Sequence, residues 1–132
     1  MVNAAAGVVL KMALFKPDSI RKILEGTKVQ TRRLHKRGWK VGKTYAIRTT
    51  WFEKGKVRIL ILRRFRERLG DISLKDVKKE GFETLTQFQA AWIRINHKWA
   101  PDAIVTAYEF RLFGSSYKRL SRQVTEEETI KR

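Results

Sequence analysis

The chain has no cysteine. Disulfides and thiolate metal sites are therefore excluded, and a reducing cytoplasm is the compartment that fits. Histidine is scarce too. His35 and His97 stand far apart with no thiolate near either, so no zinc site, and no other metal or cofactor, is expected. Long apolar runs are missing. The opening MVNAAAGVVLKMALF is broken by Lys11, is too short to span a bilayer, and has no basic segment before it as a signal peptide would. A soluble protein with no membrane partner is expected. The glycine signature of dinucleotide-binding folds, the P-loop and the HExxH zinc motif are all absent.

Acids are the most informative shortage. Thirteen Asp and Glu face 30 Lys and Arg, for a net charge of +17. Self-repulsion on that scale disfavours compaction unless counter-charges neutralise it. A polyanion is the obvious source: RNA or a nucleotide first, DNA second. A heat-adapted surface would raise Glu together with Lys, which this chain does not do. An interfacial membrane helix would line its cations along an apolar face, whereas these cluster around expected strands and loops.

The excess is uneven. No acid stands between Lys28 and Arg48, a stretch that holds Arg32, Arg33, Lys36, Arg37, Lys40 and Lys43. A second block, Arg63, Arg64, Arg66 and Arg68, is relieved only by Glu67. Residues 114–132 mix both signs, lack apolar periodicity and read as a mobile tail. Residues 1–113 then form one domain, expected to be monomeric and long enough to bury a core without staples.

Local signals give the elements. Residues 8–14, VVLKMAL, suit a buried strand. Pro17 fits a first helical turn, Ile20, Ile23 and Leu24 supply an apolar face, and Gly26 ends the helix. Residues 28–34 read as extended. A turn is expected at Val41-Gly42-Lys43, then a strand with Tyr45 and Ile47 on one face. Glu53-Lys54-Gly55-Lys56 reads as a hairpin turn into the central strand VRILIL. Ser73 with Asp76 marks a short helix with a capping carboxylate, ending at Gly81, and Thr84 with Gln87 makes a capping box. The helix over 84–99 sets Leu85, Phe88, Trp92, Ile95 and Trp99 on one apolar face. In the closing strand, Ile104, Tyr108, Phe110 and Leu112 share a face. Hairpin-linked strands with few helices predict an α+β fold, a small antiparallel or mixed β-barrel with helices packed on it.

Trp92 and Trp99 belong to the helix stripe and to the core. Trp39 and Trp51 lie among cations outside any core pattern. Stacking on an unpaired base and core packing are both open for them. His35 sits in the basic loop within reach of phosphate, and His97 is placed to meet the C-terminal carbonyls of its helix.

The run Gly26-Thr27-Lys28-Val29-Gln30-Thr31-Arg32-Arg33, following a helix and followed by VGKTYAIRTT, VRILIL, a helix pair and AYEFRL, resembles the ASCH domain, a PUA-like family. The resemblance covers roughly residues 9–113. It implies a β-barrel with a cleft beside the Gly-x-Lys loop, suited to RNA or a nucleotide. Lys28, Arg32, Arg33 and Arg48 would line the cleft, with Lys36, Arg37, Lys40, Arg63, Arg64 and Arg66 extending its field and Trp39 or Trp51 available to stack. One branch of the family is similar in carrying Lys-x-x-Thr-x-Arg and a later Glu. These are amidohydrolases that deacetylate N4-acetylcytidine. Lys28, Thr31 and Arg33 match that pattern, and Glu80 falls at the later position. The implied roles are Thr31 as nucleophile, Lys28 as base and Glu80 assisting. In a regular strand, positions 28 and 31 point to opposite faces, so the trio requires Lys28 in a turn or bulge before the strand proper.

Overall fold

Punctuation at both ends of the first helix decides where the site will lie. The computed structural model describes residues 12–34, 38–48 and 57–113. His35, Lys36, Arg37, Trp51, the turn at 53–56, the first residues of the strand expected over 8–14, and the tail from 114 lie outside the described residues. Strand β1 (Met12–Leu14) leads into helix α1 (Pro17–Glu25) with Pro17 at its first turn. Gly26 ends α1 in the left-handed region at φ 84°. That conformation costs glycine little and turns the chain back, so that Thr27 N and Lys28 N both donate to Lys22 O, at 2.9 and 3.1 Å. Strand β2 (Gln30–Arg33) starts only after this turn, so Lys28 stands before the strand proper.

Strand β3 (Thr44–Arg48) and the 11-residue β4 (Arg58–Arg68) follow. A 3-10 turn, Leu69–Asp71, leads to helices α2 (Leu74–Lys79) and α3 (Leu85–Asn96), and β5 (Ile104–Phe113) closes the order. The five strands form one mixed sheet in the order β1-β3-β4-β5-β2. Only the β1–β3 pair is parallel. The α+β class is as expected, but strand pairing does not close the sheet into a barrel among the described residues. β1 and β2 are its two edges, and a side chain links them: Arg33 Nη2 donates to Leu14 O at 2.7 Å.

Two apolar cores flank the sheet. Phe15, Ile23, Trp39, Tyr45, Ile59 and Tyr108 are among the members of the first. Leu69, Val77, Phe88, Trp92 and Val105 belong to the second, beneath α2 and α3. Because β5 is covered on both sides, its alternation serves both cores. Tyr108 and Phe110 enter the first, and Val105 enters the second. Ile104, at the start of the strand, is exposed, while Val105 is buried.

The helix caps follow the sequence in part. Ser73 Oγ accepts from Asp76 N, but the Asp76 carboxylate turns to Arg32 instead of serving the cap. Thr84 and Gln87 form the full capping box. Only Phe88 and Trp92 of the α3 stripe are buried in the helix; Leu85 and Ile95 are exposed. Trp99 lies past the helix end and meets Phe88 edge-on, with ring centroids 6.1 Å apart. At the C-cap it is the His97 backbone N–H that donates to a carbonyl, that of Ile93, at 2.7 Å. Among the described residues no helix is long and apolar enough to cross a membrane.

Candidate functional site

Since β2 is an edge strand, residues from both of its faces can border one space along its free side. A cavity of about 370 Å³ lies there. Lys28, Thr31, Arg33 and Glu80 give it a polar floor, and Phe15, Phe82, Phe88 and Trp92 give it aromatic walls. The half-exposed Leu34 and Ile95 stand at its rim.

Local structure brings Glu80 to Lys28. Glu80 follows the last turn of α2, and Gly81 continues at φ 98°. A Cβ on Gly81 would stand 3.0 Å from Lys22 Cδ and 3.3 Å from Lys28 Cβ, so a side chain there would crowd the approach. Val29 N donates to Lys79 O at 2.8 Å and pins the two segments together. Lys28 Nζ then donates to Glu80 Oε1 at 2.9 Å, to Glu80 O at 3.0 Å and to Gln30 O at 2.9 Å. Lys28 is 5 % exposed and Glu80 3 %. Burial pushes the Lys28 ammonium below the ordinary lysine value of 10.5. Glu80 pulls it back up, and Arg33 and Lys22 lower it further. The net direction is down, although three acceptors surround the nitrogen, because burial removes the solvation of the charged form.

Thr31 is buried on the same cavity wall. Its Oγ1 accepts from Arg33 Nε at 3.3 Å. The Arg33 guanidinium also lies over the Phe15 and Trp39 rings, 4.6 and 5.0 Å from their centroids. Burial lowers Arg33 to about 10, which still leaves it charged at neutral pH. Lys28 and Glu80 thus meet directly. Thr31 lines the same cavity and is bonded to Arg33, and no Lys28–Thr31 hydrogen bond occurs among the described contacts.

Several residues expected along a cationic cleft are engaged within the fold or lie away from the cavity, although Arg32 is among the residues that line it. The Arg32 side chain is wholly buried, bonded to Glu67, Asp76, Glu80 and Gln30. Trp39 is 4 % exposed and packs against Tyr108 with centroids 4.8 Å apart. It is a core residue and offers no open face to a base, which corrects the stacking option. Arg63 pairs with Glu109 at 3.0 Å, and Arg64 donates to the Trp39 carbonyl. Lys40 and Arg66 are exposed. Arg48 is half-buried, and its Nε has no hydrogen-bond partner among the described residues. Sequence reasoning missed the carboxylates Glu67 and Asp76 and the fully buried Gln30 as members of this neighbourhood. Glu67, the lone acid inside a basic block, was the available signal.

No family model matches the sequence, and no curated protein matches it. Its fold defines the class: it is an ASCH-type fold. The ASCH domain structure from Lactobacillus crispatus JV V101 is similar at TM-score 0.61 and 19 % identity, over 76 % of this chain and 77 % of that one. An ASCH protein variant from Zymomonas mobilis gives 0.56 and 14 %, over 76 % and 66 %. A DUF984 protein from Enterococcus faecalis V583 gives 0.54 and 14 %, over 75 % and 69 %. At these identities the likeness is one of fold.

Proposed function

We propose that the chain takes a nucleoside, a nucleotide or an unpaired RNA residue into the cavity beside β2. One observation carries this reading: the Arg33 guanidinium and the Lys28–Glu80 ion pair face aromatic walls in a cavity of about 370 Å³. That volume lies within the usual range for small-ligand sites, about 300–1,000 Å³. A base packs against the rings of Phe82 and Trp92, and its polar edge meets the Arg33 guanidinium. Exposed cations such as Lys16 and Arg66 hold phosphates nearby. Titration with cytidine, cytidine monophosphate, single-stranded RNA, single-stranded DNA and duplex DNA tests it. Duplex DNA competing as well as single-stranded RNA would favour a DNA-binding module and sink the reading.

A second reading, hydrolysis of N4-acetylcytidine, is supported by the Lys28–Glu80 pair beside the Thr31 hydroxyl. A threonine hydroxyl needs a base before it becomes a nucleophile. The depressed ammonium of Lys28 makes its neutral form accessible, and Glu80 relays the proton. Thr31 Oγ1 attacks the acetyl carbonyl carbon, and the Arg33 Nε–H steadies the oxygen as it loses its proton. The bond from the acetyl carbon to N4 breaks, and the amine leaves with the proton held by Lys28. Water then cleaves the threonyl ester to acetate. Lys28 and Thr31 must close up for this, as catalytic hydrogen bonds often do only once substrate is bound. Incubation with N4-acetylcytidine should yield cytidine, and undiminished product from Thr31→Ala would remove Thr31 from the mechanism.

A further inference from the structure

Arg32 stands between Thr31 and Arg33 in sequence, yet its guanidinium has nothing left to offer a ligand. Nε and Nη2 donate to Glu67 Oε1 at 2.8 and 2.5 Å, and Nη2 also donates to Asp76 Oδ2 at 3.1 Å. Nη1 donates to Glu80 Oε2 at 3.0 Å and to the Gln30 amide oxygen. A guanidinium has five N–H donors in a fixed plane, and these five bonds use all of them. Glu80 is thereby gripped from two sides, Oε2 by Arg32 and Oε1 by Lys28.

We infer that Arg32 is a positioning residue: it fixes the Glu80 carboxylate so that Oε1 faces Lys28, and through Glu80 it sets the charge state of the lysine on the cavity floor. The inference rests on the cavity being the ligand site. The groups around the pair are Arg32, Gln30, Asp76 and Glu67 on one side, with Arg33 and Lys22 on the other. Lys28 and Arg32 against Glu67, Asp76 and Glu80 leave the network with one net negative charge.

Opposite substitutions then act in opposite directions. Glu67→Gln keeps an acceptor for Arg32 but removes a negative charge, so more of the guanidinium field falls on Glu80 and Lys28 gives up its proton more easily. Arg32→Gln leaves three carboxylates facing one lysine, which then holds its proton more tightly. Glu67 does not line the cavity, and its hydrogen-bond link to the pair runs through Arg32. A merely structural role would lower activity in both variants without reversing any titration.

The test follows the Lys28 Nζ titration by side-chain nitrogen NMR in the unmodified chain, Glu67→Gln and Arg32→Gln. Cytidine release from N4-acetylcytidine is measured over the same pH range. The Lys28 midpoint should fall in Glu67→Gln and rise in Arg32→Gln, each by on the order of 1 pH unit. Wherever cytidine is released, the basic limb of kcat/KM should move the same way, with KM little changed. Should Arg32→Gln fail to fold, since it strands three carboxylates, Glu67→Gln alone carries the test. A Glu67→Gln midpoint that coincides with that of the unmodified chain overturns the inference. No cytidine from the unmodified chain sinks the hydrolysis reading instead, and the NMR titration still decides the role of Arg32.

Discussion

Lys28 and Glu80 stand 52 positions apart in the chain, and their charged groups meet at 2.9 Å where water barely reaches. Removing one partner leaves the other charge buried and uncompensated, a loss typically of about 3–5 kcal/mol. Glu80→Gln and Lys28→Met should each lower the urea midpoint strongly. The double variant should lose clearly less than the two losses added together. Simple additivity would show that the two charges do not depend on each other.

Thr31 separates binding from chemistry. Thr31→Val keeps the shape of the side chain and removes only the hydroxyl that Arg33 Nε reaches at 3.3 Å. The lost hydrogen bond should cost about 1 kcal/mol of stability. Nucleoside binding should change little. Cytidine release should fall by about 100-fold or more, and Thr31→Ser should restore part of it. Equal release from the valine and serine variants would rule the hydroxyl out as nucleophile.

The helices were legible because their signals are local. Pro17, Gly26 and the Thr84–Gln87 box each act within a few residues. Sheet order was not legible, because pairing β2 with β5 joins Gln30 to Glu109 across 79 positions. The same distance hid the answer to the charge problem. The acid-free run around Arg32 reads as a block awaiting a polyanion, but three of its counter-charges are internal and arrive 35, 44 and 48 residues later. Trp39, flanked by cations, looked like a loop residue. The rings of Phe15, Tyr45 and Tyr108 close round it only once the strands have assembled. The candidate trio was legible through its spacing, whereas the cavity's aromatic walls were not, since they come from the segments around α2 and α3.

The burial of Trp39 has a measurable consequence. Trp39→Phe keeps an aromatic core and should weaken RNA or nucleotide binding little, at a modest cost in melting temperature. A base-stacking tryptophan replaced by alanine typically gives up about 1–3 kcal/mol of affinity. Trp39→Ala should instead cost about 3–5 kcal/mol of stability as a large core truncation. A Trp39→Phe variant with unchanged melting temperature and lost affinity would put the ring at the ligand after all.

Exposed arginines should differ in their salt response. Among the described residues Arg66 carries no ion pair, whereas Arg63 is paired with Glu109 at 3.0 Å. Affinity for single-stranded RNA should fall linearly with log salt. Arg66→Ala should flatten that slope by about 0.7, the value for one phosphate contact on a single strand. Arg63→Ala should flatten it less, because part of the Arg63 charge is already neutralised. Slopes unchanged in both variants would take β4 out of the binding surface.

Glu109 sets part of the acid limit of the fold. Burial alone would raise its carboxyl, but Lys79 and Arg63 each donate to it at 3.0 Å and hold it below the ordinary value of 4.5. The folded form therefore takes up a proton less readily than the unfolded chain. The resulting stability is fully present above pH 4.5 and is lost as pH falls through the lower, folded value. Glu109→Gln removes this titration. Its melting temperature should lie below that of the unmodified chain at neutral pH, yet decline less steeply between about pH 5 and pH 3. Thermal melts across that range decide the matter: parallel declines would mean that Lys79 and Arg63 hold Glu109 no more tightly in the folded protein than water does in the unfolded chain.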